Sequence, residues 1–232
     1  MKGLRMAAGA VNAVCLVLLA LYFSVQLPTF STWFYEYEYA KNGTYEQVQV
    51  EKEDLLAVTA HMIDYMRGKE ANLNIETHVA GEARLFFSER EVLHMEDVLG
   101  LFQAGRWIRN VSVMLFAATA AFLIASGKDW RSVIMKAWRA AAFGMLAGFA
   151  CLGGLMAVSF DRSFTLFHEI FFNNDLWLLD PRVDLLVNIV PTPFFMDIAL
   201  CIGIMFALAL AVMGTCAAVI LRGIHRQGEA LQ

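Results

Sequence analysis

Residues 194–221 read FFMDIALCIGIMFALALAVMGTCAAVIL, and residues 6–27 read MAAGAVNAVCLVLLALYFSVQL. A helix needs roughly 20 predominantly apolar residues to cross a bilayer. Both stretches reach that length with a single charged residue between them, Asp197. Residues 108–126 and 140–160 have the same character, with Arg109 as their one charge. Buried helices of soluble proteins rarely run so far without charge. The four stretches predict an all-α membrane protein, a four-transmembrane-helix bundle with an extracytoplasmic, mainly helical domain that carries a short β-hairpin.

Composition agrees. The 232 residues are 59% hydrophobic and 17% charged, against about 45–50% and about 25% for average soluble domains. Mean hydropathy is +0.54. The run at 6–27 is too long for a cleaved signal and lacks a small-x-small exit, so it reads as an uncleaved anchor. Net charge is −4, which excludes a nucleic-acid partner. The positions of the cations set orientation. Lys2 and Arg5 precede the first span. Lys128, Arg131, Lys136 and Arg139 lie between the second and third, and Arg222 and Arg226 follow the fourth. By the positive-inside rule both termini are cytoplasmic. The expected segments are an N-terminal anchor and first span 1–27, an extracytoplasmic domain 28–107, and a second span 108–126. A cytoplasmic loop 127–139, a third span 140–160 and a second extracytoplasmic loop 161–193 follow. The fourth span 194–221 and a cytoplasmic tail 222–232 complete the chain.

Within the spans there is little chemistry. Asn12 is polar and Asp197 sits near one mouth, which disfavours an ion path or proton relay. Gly144-x-x-x-Gly148, with Gly153 and Gly154, predicts a close-packing face. Cys15, Cys151, Cys201 and Cys216 all fall in spans and read as small apolar packing residues.

The two outer loops carry the candidate functional residues. In the first, the aromatic run 32–39 suits a membrane interface. Residues 51–67 place Leu55, Thr59, Met62 and Met66 on one stripe, with Gly68 as the stop, and predict a helix on which His61 is solvated. Segments 73–79 and 83–87 predict a hairpin around Ala80-Gly81-Glu82. Ser88-Glu89-Arg90-Glu91 is a capping box opening a helix to about residue 103. On it Glu91, His94 and Asp97 share a face. His94 reads either as a solvated helix histidine or as a base whose carboxylate neighbours raise its pKa.

In the second loop Phe164, Phe167 and Phe171 recur at helical spacing, a face for the membrane interface, with His168 among them. Asn173, Asn174, Asp175 and Trp177 follow. Asp180-Pro181 predicts the start of a short helix. His168 reads either as a satisfied structural histidine or as a site residue, since burying it among phenylalanines costs desolvation.

Several chemistries are absent. The chain has no Gly-x-Ser-x-Gly elbow, no phosphate-binding glycine loop and no dinucleotide fingerprint. His168-Glu169-Ile170-Phe171-Phe172 lacks the second histidine of a zinc protease helix. A metal site from His94, Glu91 and His168 matches no ligand spacing, so neither a metal nor another cofactor is expected. Two histidines on separate loops remain, suited to acid–base catalysis. A non-catalytic accessory protein binding a lipid or protein partner is the alternative.

Residues 87–98, FSEREVLHMEDV, and 164–177, FTLFHEIFFNNDLW, resemble the two signature segments of the bacterial lipoprotein intramolecular transacylase family, and the loop layout resembles it along nearly the whole chain. The resemblance implies an acyltransferase of the bacterial cytoplasmic membrane, with its site on the extracytoplasmic face. Its substrate would be a diacylglyceryl lipoprotein, held among membrane lipids. The sn-2 acyl chain would move to the α-amine of the lipoprotein's own N-terminal cysteine, leaving a lyso-lipoprotein, and no acyl-enzyme would be needed. The family histidines match His94 and His168, the expected catalytic pair. Glu91, Asp97, Asn174, Asp175, Trp177 and Arg90 are expected to orient the pair or bind substrate.

Overall fold

The computed structural model describes residues 1–127 and 129–229. Lys128, counted above among the cations, and residues 230–232 of the tail lie outside the described residues. In chain order the elements are α1 (Lys2–Thr29), α2 (Thr32–Asn42), α3 (Thr44–Val48), α4 (Lys52–Arg67), β1 (Glu76–Val79), β2 (Glu82–Leu85), α5 (Glu89–Ala125), α6 (Trp130–Val158), α7 (Phe160–Phe171), α8 (Leu186–Ile189) and α9 (Thr192–Glu229). Four of the described helices, α1, α5, α6 and α9, are long and apolar enough to cross a membrane.

The residues that end each element follow simple chemistry. The Ser31 hydroxyl accepts a hydrogen bond from the Phe34 N–H and caps α2, which stops at Gly43 with φ 66°. Gly68, at φ 76°, closes α4, and the Lys69 N–H returns to the Asp64 carbonyl, as a left-handed glycine cap does. The hairpin pairs Glu76 with Leu85 and Val79 with Glu82. Ala80 and Gly81 both have positive φ, the two-residue turn whose twist matches the strands.

Two sequence expectations are corrected. The capping-box helix and the second span are one helix, α5, of 37 residues, about 56 Å long. Gly100 and Gly105 each cost about 1 kcal/mol against alanine, but no proline interrupts the run. The apolar segment from residue 108 onward is the part able to span. In the second loop Asp180-Pro181 opens a turn rather than a helix. Asp180 accepts the Arg182 N–H at 3.0 Å and is gripped by the Arg182 guanidinium, a local side-chain bond that competes with helix formation. Helix α8 begins only at Leu186.

The chain divides into two compact units. The first comprises Met1–Val25, Arg106–Val158 and Ile202–Gln232. Its core packs Ala13, Val17, Ala142, Phe206, Leu210 and Met213, and a second cluster holds Leu123, Ile134, Met135, Ala217 and Leu221. Close helix approach occurs at Gly9 and Gly214, where an added Cβ would lie 3.0 Å from Val133 and 3.3 Å from Ala142. The stripe expected from the sequence is not that face. Gly144, Gly148, Gly153 and Gly154 have nothing within 4 Å of a built Cβ, because the opposite side of α6 meets its neighbours. Cys15 is buried and Cys201 half-buried, as packing residues would be, whereas Cys151 and Cys216 are exposed on helix surfaces.

Asn12 ties this unit together. Its amide donates to the Phe116 carbonyl and the Thr119 hydroxyl, both at 3.0 Å, and its oxygen accepts from Trp138 Nε1 at 2.9 Å. The side chain is fully buried.

The second unit comprises Gln26–Gly105 and Ser159–Cys201. Its core holds Tyr39, Leu55, Val58, Leu73, Phe86 and Ile189, all inaccessible. The aromatic run of α2 splits between two roles. Trp33 and Tyr37 are exposed, but Tyr35 and Tyr39 belong to the core. The Tyr39 hydroxyl meets that of Thr59 at 2.8 Å, which in turn donates to the Leu55 carbonyl. His61 contacts the Asn72 carbonyl at 3.1 Å rather than solvent alone.

Replacing Asn12 by alanine removes interhelical hydrogen bonds and strands the Trp138 N–H. The variant is expected to lose about 1–2 kcal/mol of stability, read as a lower midpoint of thermal unfolding in detergent.

Candidate active site

Helix α5 starts from a reciprocal cap. The Ser88 N–H donates to Glu91 Oε2 at 2.5 Å, and the Glu91 N–H returns to the Ser88 hydroxyl at 3.3 Å. Both acceptors are used twice. The other Glu91 oxygen accepts the Leu186 N–H. The Ser88 hydroxyl donates to Asp184 Oδ1 at 2.9 Å, and Asp184 Oδ2 accepts the Asp180 N–H at 2.8 Å. Glu91 has no exposed surface and Asp184 is 4% exposed. A helix terminus and the 180–186 segment are thus one hydrogen-bonded piece.

His94 follows one turn later, buried against Phe172 with ring centres 5.3 Å apart. His168 comes from α7, where its Nδ1 lies 2.8 Å from the Phe164 carbonyl. A carbonyl only accepts, so Nδ1 carries the proton and Nε2 of the neutral ring keeps its lone pair. Phe164 and Trp177 flank this ring at 4.4 Å and 4.8 Å, Trp177 stacked at 28°. The two imidazole centres are 6.1 Å apart.

Geometry redistributes the remaining expected residues. The Glu91 oxygens accept from the Ser88 and Leu186 N–H groups. Asp97 Oδ2 accepts from the Asn174 amide at 2.9 Å, and Arg90 donates to the Asp175 carbonyl. Arg90 and Asp97, four residues before and three after His94, therefore fasten the 174–175 loop along the histidine's flanks. Asn174 is committed to Asp97 and to the Leu176 N–H. Asp175 contributes its backbone, and Trp177 contributes a ring face. The Nδ1 of His94 is buried without a hydrogen-bond partner.

The expected rise in the pKa of His94 is reversed. Burial lowers it to about 4, the nearby His168 adds to the fall, and Asp97 opposes it. Burial also lowers His168, opposed by its bond to Phe164. The cause is desolvation of the imidazolium outweighing one partly screened carboxylate. Both rings are neutral near pH 7. The ties of Ser88 and Asp184 to one another, and the packing of Phe172 beside both rings, have no signal in the local sequence. Asp184 lies 96 positions from Ser88, and no local pattern links them.

The fold defines a multi-pass membrane protein, and its second unit holds a buried pair of neutral histidines. A model of the family described as lipoprotein intramolecular transacylase Lit matches residues 10–195. The chain belongs to the lipoprotein intramolecular transacylase family, and is accordingly a membrane-integral transferase. Among solved structures it is similar to lipoprotein intramolecular transacylase Lit from Bacillus cereus, with a TM-score of 0.78 and 16% identity over 97% of this chain and 100% of the other. A variant of that Bacillus cereus protein with one histidine replaced by arginine matches at TM-score 0.74, 15% identity and coverage of 97% and 96%. A third structure, with an alanine replacement, matches at 0.73 and 16% over 97% of each chain. No curated protein sequence matches.

Two outcomes follow. Because the folded-state pKa of His94 lies below the ordinary 6.5, the unfolded chain takes up more protons as pH falls. Stability present above pH 6.5 is then lost as pH falls towards 4, by up to about 3 kcal/mol. Thermal unfolding in detergent from neutral to acid pH should show this slope, flattened in His94→Gln. Glu91→Ala strands two backbone donors and is expected to cost about 2–4 kcal/mol, seen as a lower unfolding midpoint at neutral pH.

Proposed function

We propose that this enzyme moves the sn-2 acyl chain of a diacylglyceryl lipoprotein onto the α-amine of that lipoprotein's N-terminal cysteine, with His94 and His168 as its acid–base pair. The observation that carries the reading is the pair itself, two neutral imidazoles 6.1 Å apart within the family-matched region. The distribution of basic segments supports cytoplasmic termini, and on that orientation the histidine-bearing loops would act at the extracytoplasmic leaflet of a bacterial membrane.

The chemistry asks little beyond these groups. An α-amine with a reference pKa near 8 is mostly protonated at neutral pH and becomes a nucleophile only on losing a proton. His168 takes that proton at Nε2, the nitrogen its bond to Phe164 leaves bare. The amine nitrogen adds to the ester carbonyl carbon, and the carbon–oxygen bond to the glycerol breaks. His168 releases that first proton to bulk solvent, takes the second from the nitrogen as it adds, and passes it to the departing glyceryl oxygen, giving an amide and a free hydroxyl. His94 donates a ring N–H hydrogen bond to the oxyanion formed on the way. Amine and ester belong to one molecule, so their effective concentration is high once the site folds the substrate back on itself. The rings of Phe164, Phe172 and Trp177 exclude water that would hydrolyse the ester.

His94→Ala and His168→Ala are each expected to lower conversion of diacyl to lyso lipopeptide about 10²–10⁴-fold, followed by mass spectrometry of the lipidated N-terminus. Wild-type conversion in either variant would sink the assignment.

A further inference from the structure

Next to the histidine pair, the second unit holds an open cleft of ≈ 570 Å³, with Ser88, Glu89 and Arg90 on one wall and Leu178, Asp180, Val183 and Asp184 on the other. We propose that this cleft is the subsite for the first residues of polypeptide after the lipidated cysteine. The proposal rests on the transacylase reading and extends it from the reacting centre to the part of the substrate that does not react.

The substrate has two chemistries that must part at the site, hydrocarbon chains and a polar peptide. The histidines' ring neighbours, Phe164, Phe167, Phe172 and Trp177, are all aromatic. The cleft is the opposite kind of surface, with four ionisable residues among seven. An acyl chain placed there would forgo about 0.8 kcal/mol per methylene of hydrophobic stabilisation. A peptide presents alternating N–H donors and carbonyl acceptors, and the cleft answers both. Glu89 offers an exposed carboxyl to an N–H. Arg90 spends one donor on the Asp175 carbonyl, and a guanidinium has five.

The cleft is built rather than incidental. Asp184, almost wholly buried, holds the Ser88 hydroxyl and the Asp180 N–H, so the same bonds that start α5 fix both walls. It also adjoins the chemistry. Arg90 stands one turn before His94 on α5 and acts on it electrostatically, and Leu178 follows Trp177, which stacks on His168. A volume of this size holds a few residues.

The test uses the full-length protein in detergent and two substrates, S-diacylglyceryl-cysteine amide and the same lipid headgroup carrying a short peptide. Val183 is 67% exposed on the cleft wall, so Val183→Trp fills the cleft without disturbing a core. The wild type is expected to show a KM about tenfold lower for the peptide-bearing substrate, a difference Val183→Trp abolishes with kcat unchanged. Val183→Trp should leave the amide substrate untouched, which also certifies the variant's fold. Equal KM for both substrates in the wild type, or an equal effect of Val183→Trp on both, overturns the subsite while leaving the transacylase reading standing. Turnover of neither substrate by the wild type overturns that reading, and the subsite with it.

Discussion

The buried carboxyl of Glu91 is the constraint on which the site depends. Burying such a group costs several kcal/mol unless its lone pairs are met. Here the donors are two backbone N–H groups from segments 98 residues apart in the chain, those of Ser88 and Leu186, the latter 95 positions from Glu91. Leaving either unpaired would cost about 1–3 kcal/mol. A one-turn slip of α5 would lose both bonds together and carry His94 away from Phe172. Asp184 repeats the arrangement from the other segment, so two polar bonds, Leu186 N–H to Glu91 and the Ser88 hydroxyl to Asp184, cross between the loops.

Once that clamp is set, the electrostatics of the histidines follow from packing. Aromatic rings around His94 and His168 withhold water, and a withheld imidazolium is the less stable form. Asp97 could oppose this, but part of its capacity is turned to Asn174. The pair therefore rests uncharged at neutral pH. The Phe164 carbonyl fixes the His168 proton at Nδ1 and leaves Nε2 as an acceptor.

The membrane unit uses other means. Between helices in lipid no hydrophobic gain drives association, so small residues and polar side chains take over. Gly9 and Gly214 permit the near approach, and Asn12 joins three segments through its amide. These residues are scattered singly along the sequence, and the glycine-rich stripe of α6 that looked like the contact face is open instead.

The amino-acid sequence determined the four apolar helices, the extent of α4 and its glycine stop, the hairpin and the cap at Ser88, because each depends on neighbours within a few positions. It also marked His94 and His168 through the motifs around them. Tertiary structure alone decided that α5 runs unbroken, that Asp180 makes a turn, and that Tyr35 and Tyr39 are core rather than interface. It alone gave Glu91 to backbone donors instead of to His94, and moved the histidine's proton affinity down rather than up. The physical reason is the same in each case. Desolvation and the choice of hydrogen-bond partner depend on what the fold brings from distant positions, and periodicity along one segment contains no record of those neighbours.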